Sequence, residues 1–194
     1  MPTHKTMRIT GGSLVRRRFL IPELVDQNVV RPTPDRVREA VFSMIKAHLQ
    51  AARVLDIFAG SGSHGFEAIS RGAAHVSFVE QNPQIIAVIK ENIASLKLEQ
   101  QCDIIKSEAR RFVSEAPDFK ADIIFVDPPY SLVLDEIFFK NLARHLNPEG
   151  LVVFRCFKKE ELFFARLFNT ERDRCYGGTR VLLLSLITNT PKGE

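Results

Sequence analysis

The chain has 194 residues, with 27 Lys and Arg against 23 Asp and Glu for a formal charge of +4, and 45% of its residues are hydrophobic. That is the size of one domain with the composition of a soluble globular protein, which excludes disordered, collagen-like and low-complexity chains. The longest apolar stretches, at 123–126, 151–154 and 181–187, fall short of the ~20 residues that cross a bilayer.

The polar N-terminal segment has no apolar stretch of the kind a secretory signal requires. Cys102, Cys156 and Cys175 are too widely spaced for a zinc pattern and read as reduced packing residues in a cytoplasmic protein. Residues 1–55 carry a net charge of +6, and the remainder carries −2. A basic front end on a near-neutral body points to a polyanionic partner, nucleic acid first.

In chain order, residues 7–30 read as short extended pieces around Gly11-Gly12, a hairpin that carries Arg16, Arg17 and Arg18. Successive strand side chains point to opposite faces, so these three need a twist or bulge to form one patch. Arg31-Pro32-Thr33-Pro34 is a rigid turn, and Asp35 is placed to cap the helix in which Val37, Val41, Met44, Ile45 and Leu49 recur. From Arg53 onward short apolar strands alternate with helices near 64–71, 84–97, 108–115 and 133–146. That alternation predicts an α/β fold with a buried parallel sheet. The end of the chain lacks a helix between 162–170 and 180–187, and Tyr176-Gly177-Gly178-Thr179 joins them as an antiparallel hairpin at the sheet edge.

The loop from Asp56 to Gly65 leads from the first core strand into its helix, and Gly60, Gly62 and Gly65 match GxGxxG. It offers Asp56, Phe58, Gly60, Ser61 and Gly62 to a cofactor, and Glu80 ends the next strand, where a carboxylate can accept both ribose hydroxyls. Asp56 argues against a pyrophosphate, which it would repel, and for the ammonium group of S-adenosylmethionine. Glu108 and Ala109, after the third strand, are placed for the adenine edge, with a first-turn helix role for Glu108 equally open. His64 in the glycine loop reads as a surface or capping group.

Asp127-Pro128-Pro129-Tyr130 closes the fourth strand, so Asp127 and Gly60 should share one crevice at the C-terminal strand ends. An exocyclic amino nitrogen is a poor nucleophile because its lone pair conjugates with the base. The Asp127 carboxylate and the Pro128 carbonyl can accept its two N–H groups and turn that lone pair toward a methyl donor. Tyr130 offers a face for stacking an extruded base. A nucleophilic cysteine for carbon methylation, a metal cluster and a GK[ST] phosphate loop are all missing from the sequence.

DIFAGSG, VEQN and DPPY, in this order, resemble class I S-adenosylmethionine-dependent methyltransferases that act on amino nitrogens. Arg8-Ile-Thr-Gly-Gly12, RPTPDRVREAVF over 31–42 and Gly60 to Gly72 narrow the resemblance to the RsmD family, over roughly Arg8 to Leu184. The resemblance implies a Rossmann-like seven-stranded sheet with an antiparallel last strand. An N-terminal hairpin-and-helix extension (1–52) would precede a methyltransferase domain (53–194). It implies methylation of guanine N2 in 16S rRNA, position 966 in the family's name, within the small subunit or its assembly intermediate. The enzyme would be a cytoplasmic monomer using S-adenosylmethionine and no metal. Arg16 to Arg18 would contact RNA, and Arg36 and Arg38 would line the substrate entrance. His64 stands where the family is usually apolar, Arg155-Cys156-Phe157 stands where the fifth strand usually ends in an acidic residue, and the last strand lacks its usual aromatic. The alternatives are an adenine-N6 methyltransferase of DNA or RNA, a non-catalytic RNA-binding protein on the same fold, and a nicotinamide dehydrogenase.

Overall fold

The computed structural model describes residues 5–22, 35–116, 119–129, 132–158 and 163–187. Strands β1 (Thr6–Arg8) and β2 (Arg18–Leu20) form the expected antiparallel hairpin. Helix α1 (Asp35–Met44) follows, with Val37, Val41 and Phe42 buried. Then come β3 (Arg53–Asp56), α2 (Ser63–Ser70), β4 (His75–Glu80), α3 (Pro83–Leu96), β5 (Cys102–Lys106), α4 (Ala109–Glu115), β6 (Ala121–Val126), α5 (Glu136–Ala143), β7 (Leu146–Phe157), β8 (Phe168–Tyr176) and β9 (Thr179–Leu186).

The seven-stranded sheet runs β5-β4-β3-β6-β7-β9-β8, parallel from β5 to β7, with β9 antiparallel to both its neighbours. Alternate strand residues feed two cores. Val54, Phe78, Phe125 and Val153 pack beneath α1, α2 and α3, while Leu55, Val79, Val126 and Phe154 pack beneath α4 and α5. The chain leaves β3 toward one sheet edge and later returns to pair β6 on the other side. The crevice at the C-terminal ends of β3 and β6 is therefore the switch point where open α/β sheets bind ligands.

The hairpin belongs to the first core. Met7, Ile9 and Phe19 are buried there, and the rings of Phe19 and Phe66 lie 5.3 Å apart. Asn92 on α3 is fully buried and holds β2 like a neighbouring strand, accepting from Leu20 N at 2.7 Å and donating to Leu20 O at 2.9 Å.

Several boundaries differ from expectation. Asp35 is the first described residue of α1, and its carboxylate binds Arg8 Nε and Arg38 Nη2, each at 3.0 Å. Helix α5 starts late because Asp135 caps it, accepting from Phe138 N. The eighth strand occupies 168–176 rather than 162–170, because the chain turns at Phe164, whose carbonyl accepts from Leu167 N and Phe168 N. Cys102 and Cys156 are buried, whereas Cys175 lies on the outer strand and is exposed, so it is not a packing residue. Its neighbours explain the difference: β8 is the sheet edge, and nearly every residue on it is exposed. The Arg31–Pro34 turn lies outside the described residues. No helix among the described residues is long and apolar enough to cross a membrane.

Candidate active site

Asp56 ends β3, opposite Phe125 of β6, so Asp127 follows two residues beyond that register point. The chain then climbs through Ala59, whose amide donates to Val79 O, into a turn closed by Gly62 N donating to Ala59 O at 2.7 Å. Gly60 and Gly62 have φ of 51° and 75°, the left-handed region that favours glycine. A Cβ on Gly62 would fall 2.7 Å from the Phe66 ring, and one on Gly65 would collide with Phe78. The third glycine thus seats α2 directly on β4.

Both Asp56 carboxylate oxygens are buried with no hydrogen-bond partner. Burial holds the Asp56 pKa well above the usual carboxylate range, and Asp127 and Glu80 push it further up; the Gly65 amide opposes this without closing a regular hydrogen bond. A desolvated, unpaired carboxylate is costly unless a cation meets it. Glu80 has its carboxylate held at one end by Gly60 N (3.1 Å) and at the other by Gln81 N and Asn82 N (2.9 Å each). That grip orients a half-exposed carboxylate at the strand end, where ribose hydroxyls can reach it.

Phe58 is half-buried, with its ring 6.3 Å from Phe138, and Ser61 is buried in the turn. Glu108 caps α4, accepting from Arg110 N at 3.0 Å and Arg111 N at 2.8 Å. The helix role weighed for it is therefore the one its side chain performs, and Ala109 is buried in the first turn. A groove of about 690 Å³ opens beside Gln81, Ile105, Ser107, Glu108 and Phe112, and neither the glycine loop nor Asp56 nor Asp127 lines it.

Asp127 is 13% exposed, and Arg155 Nε of β7 contacts its Oδ1 at 2.5 Å. Burial raises the Asp127 pKa and Arg155 pulls it back. Pro128 is buried and Pro129 exposed; Tyr130 lies outside the described residues. His64 is not a surface group: it is 7% exposed and stacks on Phe125 with ring centroids 4.9 Å apart. Its pKa is lowered to about 3 by burial, and Arg155 and Arg38 add to the effect. An imidazole flat against a buried ring fills the apolar position expected there.

The arginines separate. Arg38 is fully buried and binds Glu67 Oε2, Asp35 Oδ1 and Arg8 O, so it does not line a substrate entrance. Burial of its fork between two carboxylates makes it a structural tie. Arg36 is exposed. Arg16, Arg17 and Arg18 are exposed, and Arg16 takes a left-handed φ of 70° that breaks strand alternation. Arg17 Nη2 reaches Ser95 O near the end of α3, and the hairpin loop packs on Ser70 at the end of α2. The triplet therefore lies toward the C-terminal ends of these helices, away from the crevice at their N-terminal ends. Along α3 that is about 20 Å.

Two residues had no role assigned from the sequence: Arg155, noted only as a departure from the family pattern, and Glu67. Arg155 was visible as the lone charge in the apolar run LVVFRCF, which should seek a partner when buried. Glu67, between Phe66 and Ala68, is 1% exposed and accepts from Thr10 N, Thr10 Oγ1, Arg38 Nε and Arg71 Nε. Its signal was a glutamate inside a helix buried on every side.

The family model described as conserved hypothetical protein 95 matches residues 7–185. The chain is 34% identical over 177 residues to ribosomal RNA small subunit methyltransferase D of Haemophilus influenzae, covering 88% of this chain and 89% of that protein. The solved structure of yhhF from Escherichia coli is 29% identical, with a TM-score of 0.82 over 94% of this chain and 98% of that one. The Thermus thermophilus 16S rRNA N2 G1207 methyltransferase, solved with AdoMet and guanosine, aligns at a TM-score of 0.72 and 19% identity over 95% of this chain and 50% of that one. At that identity the last likeness concerns the fold alone.

Proposed function

The chain belongs to the RsmD family, whose model is described as conserved hypothetical protein 95, and from that membership we propose that it methylates the exocyclic N2 of a guanine in 16S rRNA with S-adenosylmethionine. The carrying observation is the pairing of an orphaned buried carboxylate, Asp56, with a DPP turn on the neighbouring strand. The name of the Haemophilus relative supports ribosomal RNA of the small subunit as the substrate.

Asp56 would meet the cofactor's ammonium, Glu80 its ribose hydroxyls, and Phe58, Gly60, Ser61, Gly62, Glu108 and Ala109 would wall it in, Ala109 through its backbone. When bound, S-adenosylmethionine supplies an electrophilic methyl on a sulfonium, so the carbon–sulfur pair returns to sulfur as the carbon–nitrogen bond forms. Asp127 and the Pro128 carbonyl hold the two N–H groups of the target nitrogen and aim its lone pair. The proton left on nitrogen after transfer passes to Asp127 or to solvent. Pro128 and Pro129 fix the backbone so that the accepting carbonyl does not wander, and Tyr130 would stack the base.

Residues 1–52 act as a basic extension on a methyltransferase domain spanning 53–194. Arg16, Arg17, Arg18 and Arg36 would meet RNA phosphates beyond the crevice, as a large substrate permits. The enzyme would act as a cytoplasmic monomer on rRNA in the small subunit or its assembly intermediate.

The test offers methyl-labelled S-adenosylmethionine with unmodified small subunits, naked rRNA and duplex DNA, and digests the products to nucleosides. N2-methylguanosine from the ribosomal substrate is expected. N6-methyladenine would replace this reading with the adenine alternative, and absence of label with bound cofactor would replace it with a binding role.

A further inference from the structure

We infer that Arg155 is the positioning residue for Asp127, holding one carboxylate oxygen so that the other alone is presented to the target amino group; this rests on the methyl-transfer reading above. Asp127 carries the reacting nitrogen in that reading, yet it lies next to a second buried carboxylate, Asp56, that has no partner of its own. Two buried carboxylates in one crevice favour protonation of at least one. A protonated Asp127 would offer a hydrogen to the target nitrogen instead of accepting one. Arg155 is the group that opposes this. Its guanidinium reaches across from β7, the strand beside β6, and both partners are 13% exposed. A planar guanidinium has a fixed donor geometry, so it orients the carboxylate as well as charging it.

The charged and titratable groups around the pair come from every neighbouring element. Asp56 lies on β3 and Glu80 on β4, and both disfavour added negative charge. His64 on α2 stays neutral against Phe125, in the field of Arg155 and of Arg38 on α1. Of these, Arg155 alone donates a hydrogen bond to Asp127 and lowers its pKa. It sits on a buried strand between Phe154 and Cys156, both nearly inaccessible, and pairs with Val181 of β9.

The test follows the Asp127 carboxyl carbon by ¹³C NMR titration in the full-length protein, alongside the pH profile of methyl transfer and calorimetric binding of S-adenosylmethionine. Arg155→Met should raise the Asp127 titration midpoint by about one unit or more. It should also lower kcat about 100-fold, shift the acid limb of the profile the same way, and leave cofactor affinity within about threefold of wild type. Arg155→Lys, which keeps the charge, should bring the midpoint back toward wild type while recovering only part of kcat. An Arg155→Met midpoint equal to wild type overturns the inference, even if activity falls, because a purely structural role would lower activity without moving it. If the variant does not fold, the Arg155 Nε resonance of the intact protein decides: it should titrate with the Asp127 carboxyl, and a signal that stays fixed overturns the inference. The NMR arm needs no substrate, so a wild-type enzyme inactive on rRNA would overturn the methyl-transfer reading separately.

Discussion

Two buried carboxylates, Asp56 and Glu67, stand close in sequence and behave in opposite ways. Glu67, in the middle of α2, is 1% exposed and receives hydrogen bonds from Thr10, Arg38 and Arg71. Asp56, in front of the N-terminus of the same helix, is 0% exposed and receives none. Glu67 spends its charge inside the protein, tying the N-terminal hairpin and α1 to the helix that carries the glycine loop. Asp56 has no such donors, so its ionised form carries a desolvation cost that a cation would offset. A buried charge with a full set of donors reads as architecture, and one without them reads as a ligand site.

The comparison breaks most visibly at Asp127, which lies between the two cases with one partner of its own. Asp127→Ala should lower methyl transfer by about 10²- to 10⁴-fold and should also cost some thermal stability, because it takes the carboxylate away from the mostly buried Arg155 guanidinium. A rate within tenfold of wild type would remove Asp127 from the chemistry. Next in size is Glu67→Ala. It takes one of two carboxylates from Arg38, whose side chain is fully buried, and leaves the half-exposed Asp35 as the other. Removing one partner of a buried pair costs about 3–5 kcal/mol. Urea unfolding of the apo protein should show that loss, and a change below about 1 kcal/mol would make the network as weak as a surface ion pair.

The asymmetry between the two carboxylates bears on how far the sequence could be read. The parallel sheet was legible because VLDIFAG, HVSFVE and DIIFVD are continuous apolar runs that only burial on both faces explains. The crevice was legible because strand ends in open α/β sheets converge by topology, so Gly60, Glu80 and Asp127 could be brought together without coordinates. Side-chain pairing across elements was not legible. Arg38 and Glu67 are 29 residues apart and Arg155 and Asp127 are 28 apart, and nothing local specifies which charge meets which. Arg38, expected at the substrate entrance, is instead enclosed by the Arg8 carbonyl and Glu67. Glu108 shows the reverse: its cap on α4 was written in the two amides that follow it, and a local rule sufficed.

Asp56→Asn sharpens the comparison in two directions at once. The amide keeps the shape but removes the unpaired charge, so the apo variant should unfold about 1–3 kcal/mol later than wild type at neutral pH. Its S-adenosylmethionine affinity should fall tenfold or more, because the ammonium loses its counter-charge. The folded carboxyl titrates above its unfolded range, so the folded state holds more protons and wild-type stability falls as pH rises through that interval. The gain from Asp56→Asn should therefore shrink in acid and grow toward neutrality, read from urea midpoints across a pH series. A variant less stable than wild type at neutral pH would mean that Asp56 is satisfied in solution, and its status as a reserved ligand site would go with it.

The last effect comes from His64, and its sign is opposite. Its folded pKa is about 3 against 6.5 for the free side chain. Between those values the unfolded chain takes up a proton that the folded one refuses. His64 therefore costs stability as pH falls from 6.5 toward 3, by up to about 1.4 kcal/mol for each unit, and the loss levels off below. Over part of the same acid range Asp56 and Asp127 contribute the other way, because their folded pKa values are raised. His64→Leu keeps an apolar contact with Phe125 and removes only the titrating ring, so its plot of stability against pH should be flatter than wild type below 6.5. Parallel plots for the two proteins would mean that the His64 ring is hydrated and free to protonate, placing it with the exposed groups of the loop and not with the buried wall behind Asp127.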